Sequence, residues 1–117
     1  SASIDINDKG KNALMQLATA LNQQKDVTIM VEGHTDNVPM RSATIKDNWD
    51  LSVLRATSIV RILTTEGKVD PTRVLATGRS EHLPVDSADT PEARAKNRRI
   101  EIILTPNLDE LFNILNN

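Results

Sequence analysis

Apolar residues recur along the chain at two kinds of spacing, which predict helices alternating with short strands. Between Lys9 and Gln24 the leucines stand three or four positions apart, as they do on one face of a helix. The segment from Asn48 to Glu66 has the same spacing and ends before Gly67, a residue type that commonly follows a helix. Short apolar runs rich in β-branched residues predict strands over 27–33, 73–78 and 100–105.

Residues suited to helix ends support this division. Asp8 and Asn48 can accept hydrogen bonds from the first turns of the two long helices, and Thr90-Pro91 predicts the start of a third, shorter one. The alternation predicts a two-layer α/β (α+β) sandwich, in which helices pack on one mixed sheet. The whole chain, 1–117, is expected to be one domain, with a core over 1–105 and a terminal amphipathic helix over 106–117.

The composition narrows the classes of function. The 117 residues carry a net charge of −2, whereas a general nucleic-acid binder is usually basic. Trp49 and Phe112 are the only aromatic residues, which argues against a stacking platform for single-stranded nucleic acid. There is no cysteine, and no apolar run approaches the roughly 20 residues of a membrane span. Motifs of serine hydrolases, phosphate-binding loops and zinc proteases are absent, so the sequence favours binding over catalysis.

Arg55 occupies a position that needs a chemical explanation. On a helical wheel it lies near the middle of the apolar stripe of the helix over 48–66, two turns from the N-terminus. The helix dipole disfavours a cation there, and a buried unpaired charge is strongly destabilising, so an anion is expected beside it. That anion is either an internal carboxylate, from Asp36, Asp50 or Glu32, or part of a bound ligand.

Asp36 opens a long loop directly after the first predicted strand, within the sequence GHTD. Ends of strands in layered α/β folds are common ligand positions, which favours a binding role. The structural alternative is an Asx-type hydrogen bond to the backbone of Val38. The neighbouring His34 is more simply a hydrogen-bonded structural residue. A metal-assisted hydrolase would need His34, Asp36 and His82 to converge, but their spacing matches no recognisable metal site.

A basic cluster precedes the last predicted strand. Alternation along that strand puts Arg98 on the same side as Ile100 and Ile102, and Arg99 on the opposite side. Such clusters usually form a solvated face. Here, however, one member is expected to point inward.

Together these segments resemble the OmpA-like peptidoglycan-binding domain, which also occurs in peptidoglycan-associated lipoprotein and in the flagellar stator protein MotB. The resemblance rests on VEGHTDNVP, NWDLSVLRA, GRSEHLPV and TPEARAKNRRIEI in this order, and it extends from about Ser1 to Leu104. It implies non-covalent binding of the wall's stem peptide through meso-diaminopimelate, without enzymatic activity, cofactor or metal. It also implies a periplasmic location in a Gram-negative bacterium, within an outer-membrane or envelope-anchored protein.

The resemblance also assigns roles to residues. Asp36 would take the ammonium group of the ligand and Arg55 its carboxylate, while Arg98 would support the carboxylate side. A guanidinium grips a carboxylate with two parallel hydrogen bonds, which lysine cannot form. The pocket would further be lined by Thr35, Asn48, Leu51 and Ser52.

Some features depart from the family pattern. The family's first strand would precede Ser1, so we expect a sheet one strand short in a chain that is a fragment or a processed product. Val38-Pro39 stands where the family often has glycine after GHTD, and an extended loop runs on to Asp47. The segment 106–117 lies beyond the family core. Its apolar residues from Leu108 to Leu115 leave a second class of function open, a protein-interaction or dimerisation module of an envelope or stator assembly.

Overall fold

Helices and strands alternate along the chain in the order that the apolar pattern predicts. The computed structural model describes residues 6–107 and 114–116. Within these ranges the helices are α1 (Asp8–Gln23), α2 (Asn48–Arg61) and α3 (Pro91–Asn97), and the strands are β1 (Val27–His34), β2 (Val74–Gly78) and β3 (Arg99–Pro106). A π-helical turn, Ile62–Glu66, continues α2, and a 3-10 turn, Pro71–Arg73, leads into β2. The predicted fold class, helices packed on one mixed sheet, is confirmed.

The starts of the two long helices differ from the prediction by one residue. The side chain of Asn7, not that of Asp8, accepts a hydrogen bond from the N–H three residues further on and caps α1. In the same way Asp47, not Asn48, caps α2. Asn48 therefore lies in the first turn of α2, and its side-chain amide reaches the loop that follows β1.

β1 is the central strand of the sheet, whose order is β2-β1-β3. It runs parallel to β2 and antiparallel to β3, and α2 packs against both parallel strands. Alternate residues of a strand share a face. Ile29 and Val31 therefore enter the core beneath the helices, whereas Glu32 and His34 lie on the opposite face.

The core lies between α1, α2 and the helix-facing side of the sheet. The apolar stripe expected on the helix over 48–66 includes Leu54 and Ile62, and both are only half-buried. Ser52 and Ala56 are buried instead, together with Leu51. The cluster is entirely aliphatic, as the scarcity of aromatic residues requires: Ala18, Leu21, Ile29, Val31, Ala56, Ile59, Leu63 and Val69.

Two glycines in register, Gly33 of β1 and Gly78 of β2, explain why small residues of α2 face the sheet. A Cβ atom at Gly33 would overlap the carbonyl oxygen of Ser52, and one at Gly78 would overlap the hydroxyl oxygen of Ser52. The backbone of α2 therefore rests directly on the two strands at this point. This contact fixes where the next turn of α2 presents Arg55.

The C-terminal end of the chain is only partly described. Leu108, Leu111 and Phe112 lie outside the described residues, whereas Ile114 and Leu115 are helical and exposed. The expectation of a strand before Ser1 stays a prediction. No helix of the described ranges is long and apolar enough to cross a membrane.

Candidate functional site

A cavity of about 270 Å³ is formed by the segment that follows β1, by α2, and by the junction of α3 with β3. It brings together five of the seven predicted site residues: Thr35, Asp36, Leu51, Arg55 and Arg98. Val38 and Met40 add apolar surface, and Arg94 adds a third arginine. This volume suits one end of a small ligand, because pockets for complete small molecules begin at about 300 Å³.

Asp36 is buried and held from two sides. The backbone N–H of Val38 donates to its Oδ1 over 3.0 Å, which is the Asx-type bond of the structural alternative. Arg98 donates from Nη1 to the other carboxylate oxygen over 2.7 Å and forms an ion pair with it. Burial alone would raise the pKa of Asp36, but the hydrogen bonds from Arg98 and Val38 outweigh it and hold the pKa below its ordinary value. The carboxylate is therefore ionised at neutral pH.

Arg55 has no comparable partner. Its Nη1 is buried and makes no hydrogen bond to any described residue. No ion pair joins Arg55 to a carboxylate of the described residues, so the internal pair considered above does not form. Burial lowers the pKa of Arg55, and the charge of Arg98 lowers it further, while the charge of Asp36 opposes both. The guanidinium still remains protonated, so it is a half-buried cation without an ion-pair partner among the described residues.

The charged residues around the cavity can bind an anionic group and a cationic group side by side. Three arginines and one carboxylate line the cavity, so its lining has an excess of positive charge. Asp36 pairs with Arg98, and the exposed Asp89 pairs with Arg94 over 2.8 Å. Arg55 is left to attract an anion, and Asp36 supplies a negative charge in the same cavity for a neighbouring cationic group.

Asn48 and Ser52, the other two predicted pocket residues, do not line this cavity. The amide nitrogen of Asn48 donates to the backbone oxygens of Asp36 and Val38 and so fixes the loop that carries them. The hydroxyl of Ser52 accepts from the N–H of Ser80. Both residues position the segments around the cavity rather than form its wall.

Three residues of the cavity were not among the predicted pocket residues: Val38, Met40 and Arg94. Arg94 stands four positions before Arg98, and this spacing brings side chains to one side of a helix. The spacing is a signal that could have identified Arg94. Val38 and Met40 belong to an irregular loop, whose path no periodicity in the sequence predicts.

The residues of the hydrolase hypothesis do not converge. His34 is buried on the opposite face of the sheet, where its Nε2 lies 2.8 Å from Glu32 and 3.5 Å from Glu101. These three form the one group with metal-ligand spacing among the described residues, and it includes neither Asp36 nor His82. Both glutamates are also paired with arginines. The interpretation of His34 as a hydrogen-bonded structural residue fits this network.

Asp36→Asn is expected to remove a pH-dependent part of the stability. The pKa of Asp36 is lowered in the folded chain, so the ionised carboxylate stabilises the fold above its ordinary pKa of about 3.9. This contribution is lost as the pH falls through the folded-state pKa. Between about pH 5 and pH 3, wild type should therefore lose free energy of unfolding relative to the variant, measured by urea denaturation.

An Arg98→Met background provides the control for this measurement. The hydrogen bond from Arg98 is the largest cause that lowers the pKa of Asp36. In this background Asp36→Asn should therefore alter the pH dependence much less. An equal effect in both backgrounds would show that Arg98 is not responsible for the shift.

Comparison with known proteins identifies relatives of the chain. The model of the OmpA family matches residues 1–98. Motility protein B of Bacillus subtilis is 41% identical over 78 residues, which cover 67% of this chain and 30% of that protein. Outer membrane protein Omp38 of Acinetobacter baumannii is 35% identical over 101 residues, which cover 86% of this chain and 27% of that protein. The chain thus spans less than a third of the length of these two relatives.

Comparison of the fold with solved structures identifies relatives in the same family of proteins. The crystal structure of the periplasmic domain of Helicobacter pylori MotB has a TM-score of 0.83 to this chain at 26% identity, and the match covers 99% of this chain and 74% of that one. The residues that line the cavity all fall within the segment that the family model matches. Sequence and fold thus agree that the chain belongs to the OmpA family.

Proposed function

We propose that this chain binds peptidoglycan non-covalently through the diaminopimelate of the stem peptide, as a binding module without catalytic activity. The observation that carries the proposal is the buried Nη1 of Arg55, which has no partner among the described residues, beside a cavity that also contains Asp36. The free end of meso-diaminopimelate has an ammonium group and a carboxylate on the same carbon. It therefore supplies the anion that Arg55 lacks together with a cation for Asp36.

Each group of this ligand has a counterpart in the cavity. Arg55 holds the carboxylate through two parallel hydrogen bonds, and Arg98 supports it from the side of Asp36. Asp36 accepts the ammonium group with lone pairs that its two existing bonds leave unused. Leu51 and Met40 supply apolar surface for the methylene carbons of the ligand.

The carboxylate at the free end of diaminopimelate should make binding selective for diaminopimelate-type over lysine-type peptidoglycan. In a lysine-type wall the corresponding side chain ends in an amine alone, which would leave the guanidinium of Arg55 unpaired. A charge-assisted hydrogen bond contributes about 1.5–3 kcal/mol, and about 1.4 kcal/mol corresponds to a tenfold change in affinity. Lysine-type peptidoglycan should therefore bind at least about tenfold more weakly.

This binding would anchor a larger protein to the wall. We place the domain in the periplasm of a Gram-negative bacterium, where it fastens an outer-membrane protein or an envelope complex to peptidoglycan. Two relatives support this location: a structure from Helicobacter pylori that is described as a periplasmic domain, and an outer membrane protein of Acinetobacter baumannii.

A second function, dimerisation within an envelope or stator assembly, is favoured by one further observation. Ile114 and Leu115 lie on a helical turn near the C-terminus and are 67% and 70% exposed. These two side chains present apolar surface that a second chain can cover if it extends into a contiguous patch. The two functions are compatible, because neither residue lines the cavity of Arg55.

Co-sedimentation with insoluble peptidoglycan tests the proposed function. We expect the chain to pellet with diaminopimelate-type sacculi and to remain largely in solution with lysine-type sacculi. Free meso-diaminopimelate should release the chain from the pellet, whereas L-lysine at the same concentration should not. Equal pelleting with both wall types, or no pelleting with either, would contradict the proposal.

A further inference from the structure

Arg94 is a cation of the cavity wall whose partner lies outside the cavity. Its side chain is 26% exposed and lines the cavity that contains Arg55. Its Nη1 donates to Oδ1 of Asp89 over 2.8 Å, and Asp89 does not belong to the cavity lining. The side chain of Asp89 is 79% exposed, so this ion pair lies at the rim, where the cavity meets solvent.

The contact between Asp89 and Arg94 is weak enough for a ligand to replace it. An exposed ion pair contributes little, because water screens the charges and two side chains must be ordered. The other contact of Asp89 Oδ1 is a long hydrogen bond, of 3.4 Å, from the side-chain amide of Asn37. A guanidinium has five N–H donors, and among the described residues Asp89 is the one acceptor that the side chain of Arg94 engages. Asp89 therefore occupies Arg94 as the carboxylate of a ligand would.

The charge of the cavity also favours a second anionic group. Three arginines and one carboxylate leave its lining with an excess of two positive charges. The free end of diaminopimelate has one positive and one negative charge, so its binding would not reduce this excess. A further carboxylate would reduce it. Arg94 is the cation available for that group, because Arg98 already pairs with Asp36 and Arg55 is assigned to the free end.

We propose that Arg94 binds the second carboxylate of diaminopimelate, and that Asp89 competes with this carboxylate for the guanidinium. The inference rests on the proposed function, because it assumes that the free end of diaminopimelate lies between Arg55 and Asp36. The second carboxylate belongs to the carbon through which diaminopimelate joins the peptide. It is free where the stem ends at diaminopimelate, and it is part of an amide bond where the stem continues. Arg94 thus makes the chain prefer stems that end at this residue.

The spacing of the two carboxylates fits the spacing of the two arginines. Arg94 and Arg98 stand four positions apart at the C-terminal end of α3, which places their Cβ atoms about 5–6 Å apart. In diaminopimelate the two carbons that carry the carboxylates are four bonds apart, which is about 5 Å in an extended chain. One carboxylate can therefore lie beside Arg98, where Arg55 also binds it, while the other reaches Arg94.

Calorimetric titration with two soluble ligands tests the inference. One ligand is the stem tripeptide that ends in meso-diaminopimelate, and the other is the same tripeptide with a carboxamide in place of the second carboxylate. Wild type should bind the tripeptide about three- to tenfold more tightly, which lies between the effects of an exposed ion pair and of a charge-assisted hydrogen bond. Arg94→Gln should lose this preference and keep the affinity for the amide. Lys96→Gln, which removes an exposed positive charge of α3 outside the cavity, should keep both affinities.

Asp89→Asn gives a readout that a merely structural role of the ion pair would not produce. Removal of the competing carboxylate should raise the affinity for the tripeptide about two- to fivefold and leave that for the amide nearly unchanged. In an Arg94→Gln background, Asp89→Asn should alter neither affinity, because the group for which Asp89 competes is gone. Glu92→Gln, which removes another exposed carboxylate at the start of α3, is the matched control and should not raise the affinity.

The outcomes separate this inference from the proposed function. Equal affinities of wild type for the two ligands would overturn the role of Arg94 and leave the proposed function standing. An Asp89→Asn chain that binds the tripeptide more weakly would also overturn the inference, since Asp89 would then position Arg94 rather than compete with the ligand. If neither ligand binds to wild type, the proposed function is refuted, and this inference with it.

Discussion

An Arg55→Ala variant is expected to remain folded and to lose its co-sedimentation with diaminopimelate-type peptidoglycan. The guanidinium has a buried Nη1 without a partner among the described residues, so the ligand's carboxylate is the group that it is free to bind. Two charge-assisted hydrogen bonds contribute roughly 3–6 kcal/mol together. A single-site affinity between micromolar and millimolar corresponds to about 4–8 kcal/mol, so this loss takes binding below detection. Pelleting and thermal melting should be measured on the same samples.

Two further variants separate capture of a ligand from a structural role. Arg55→Lys keeps the charge but not the planar pair of donors, so it should fail to pellet almost as completely. The melting temperature of Arg55→Ala should fall little or rise, because the variant removes a half-buried charge that has no ion-pair partner among the described residues. Asp36→Ala should also abolish binding but lower the melting temperature more, since it strands the paired guanidinium of Arg98. Full pelleting by a folded Arg55→Ala chain would refute the assignment of Arg55.

Gly33→Ala is expected to be the most destabilising single change in the sheet. The new methyl group would overlap the backbone carbonyl of Ser52, and a backbone atom cannot rotate away as a flexible side chain can. Overpacking of a core typically costs about 1–3 kcal/mol, and here α2 as a whole must move. Because total stability is about 5–15 kcal/mol, urea unfolding should shift to a clearly lower midpoint. Peptidoglycan binding should also fall, since α2 carries Arg55 and Leu51.

Gly10→Ala is the matched control. It makes the same chemical change within α1, where the nearest atom is a side-chain atom, the Cγ2 methyl of Ile6, and not a backbone atom. Alanine is favoured over glycine in a helix by about 1 kcal/mol, so this variant should be neutral or slightly more stable. If Gly33→Ala unfolds at the same urea concentration as Gly10→Ala, α2 is not held against the sheet as described.

The sequence predicts the order of elements well, because the helical and strand spacings of apolar residues are local properties. The sequence also identifies Arg55 as a candidate binding residue, because a cation within an apolar stripe needs an anion beside it. The partner of Asp36 was harder to predict from the sequence. Asp36 pairs with Arg98, which is 62 positions away, and only the antiparallel register of β1 and β3 brings them together. No local pattern in the sequence predicts which residues of β1 and β3 are paired.

Local competition explains the smaller differences. Asn7-Asp8 and Asp47-Asn48 each place two capping residue types side by side, and the backbone conformation selects the first of each pair. The buried face of α2 differs from the apolar stripe expected from the sequence for a different reason. Its contact with the sheet uses Ser52 because paired glycines bring the backbones together, and a search for large apolar residues does not detect a face built from small ones.

Asp36 and Arg98 are far apart in the sequence, so the cavity that they line is complete only when the entire domain is folded. Binding of a ligand to this cavity therefore depends on the folded state of the domain. A chain in which β3 is not paired with β1 would lack one wall of the cavity, so a ligand of this cavity would bind the native state alone. Ligand at a hundred times its dissociation constant then raises the free energy of unfolding by about 2.7 kcal/mol. A parent protein tethered beside the wall polymer would experience a high effective concentration of stem peptides. The domain would thus be most resistant to unfolding and proteolysis where it is engaged, and free copies would be degraded preferentially.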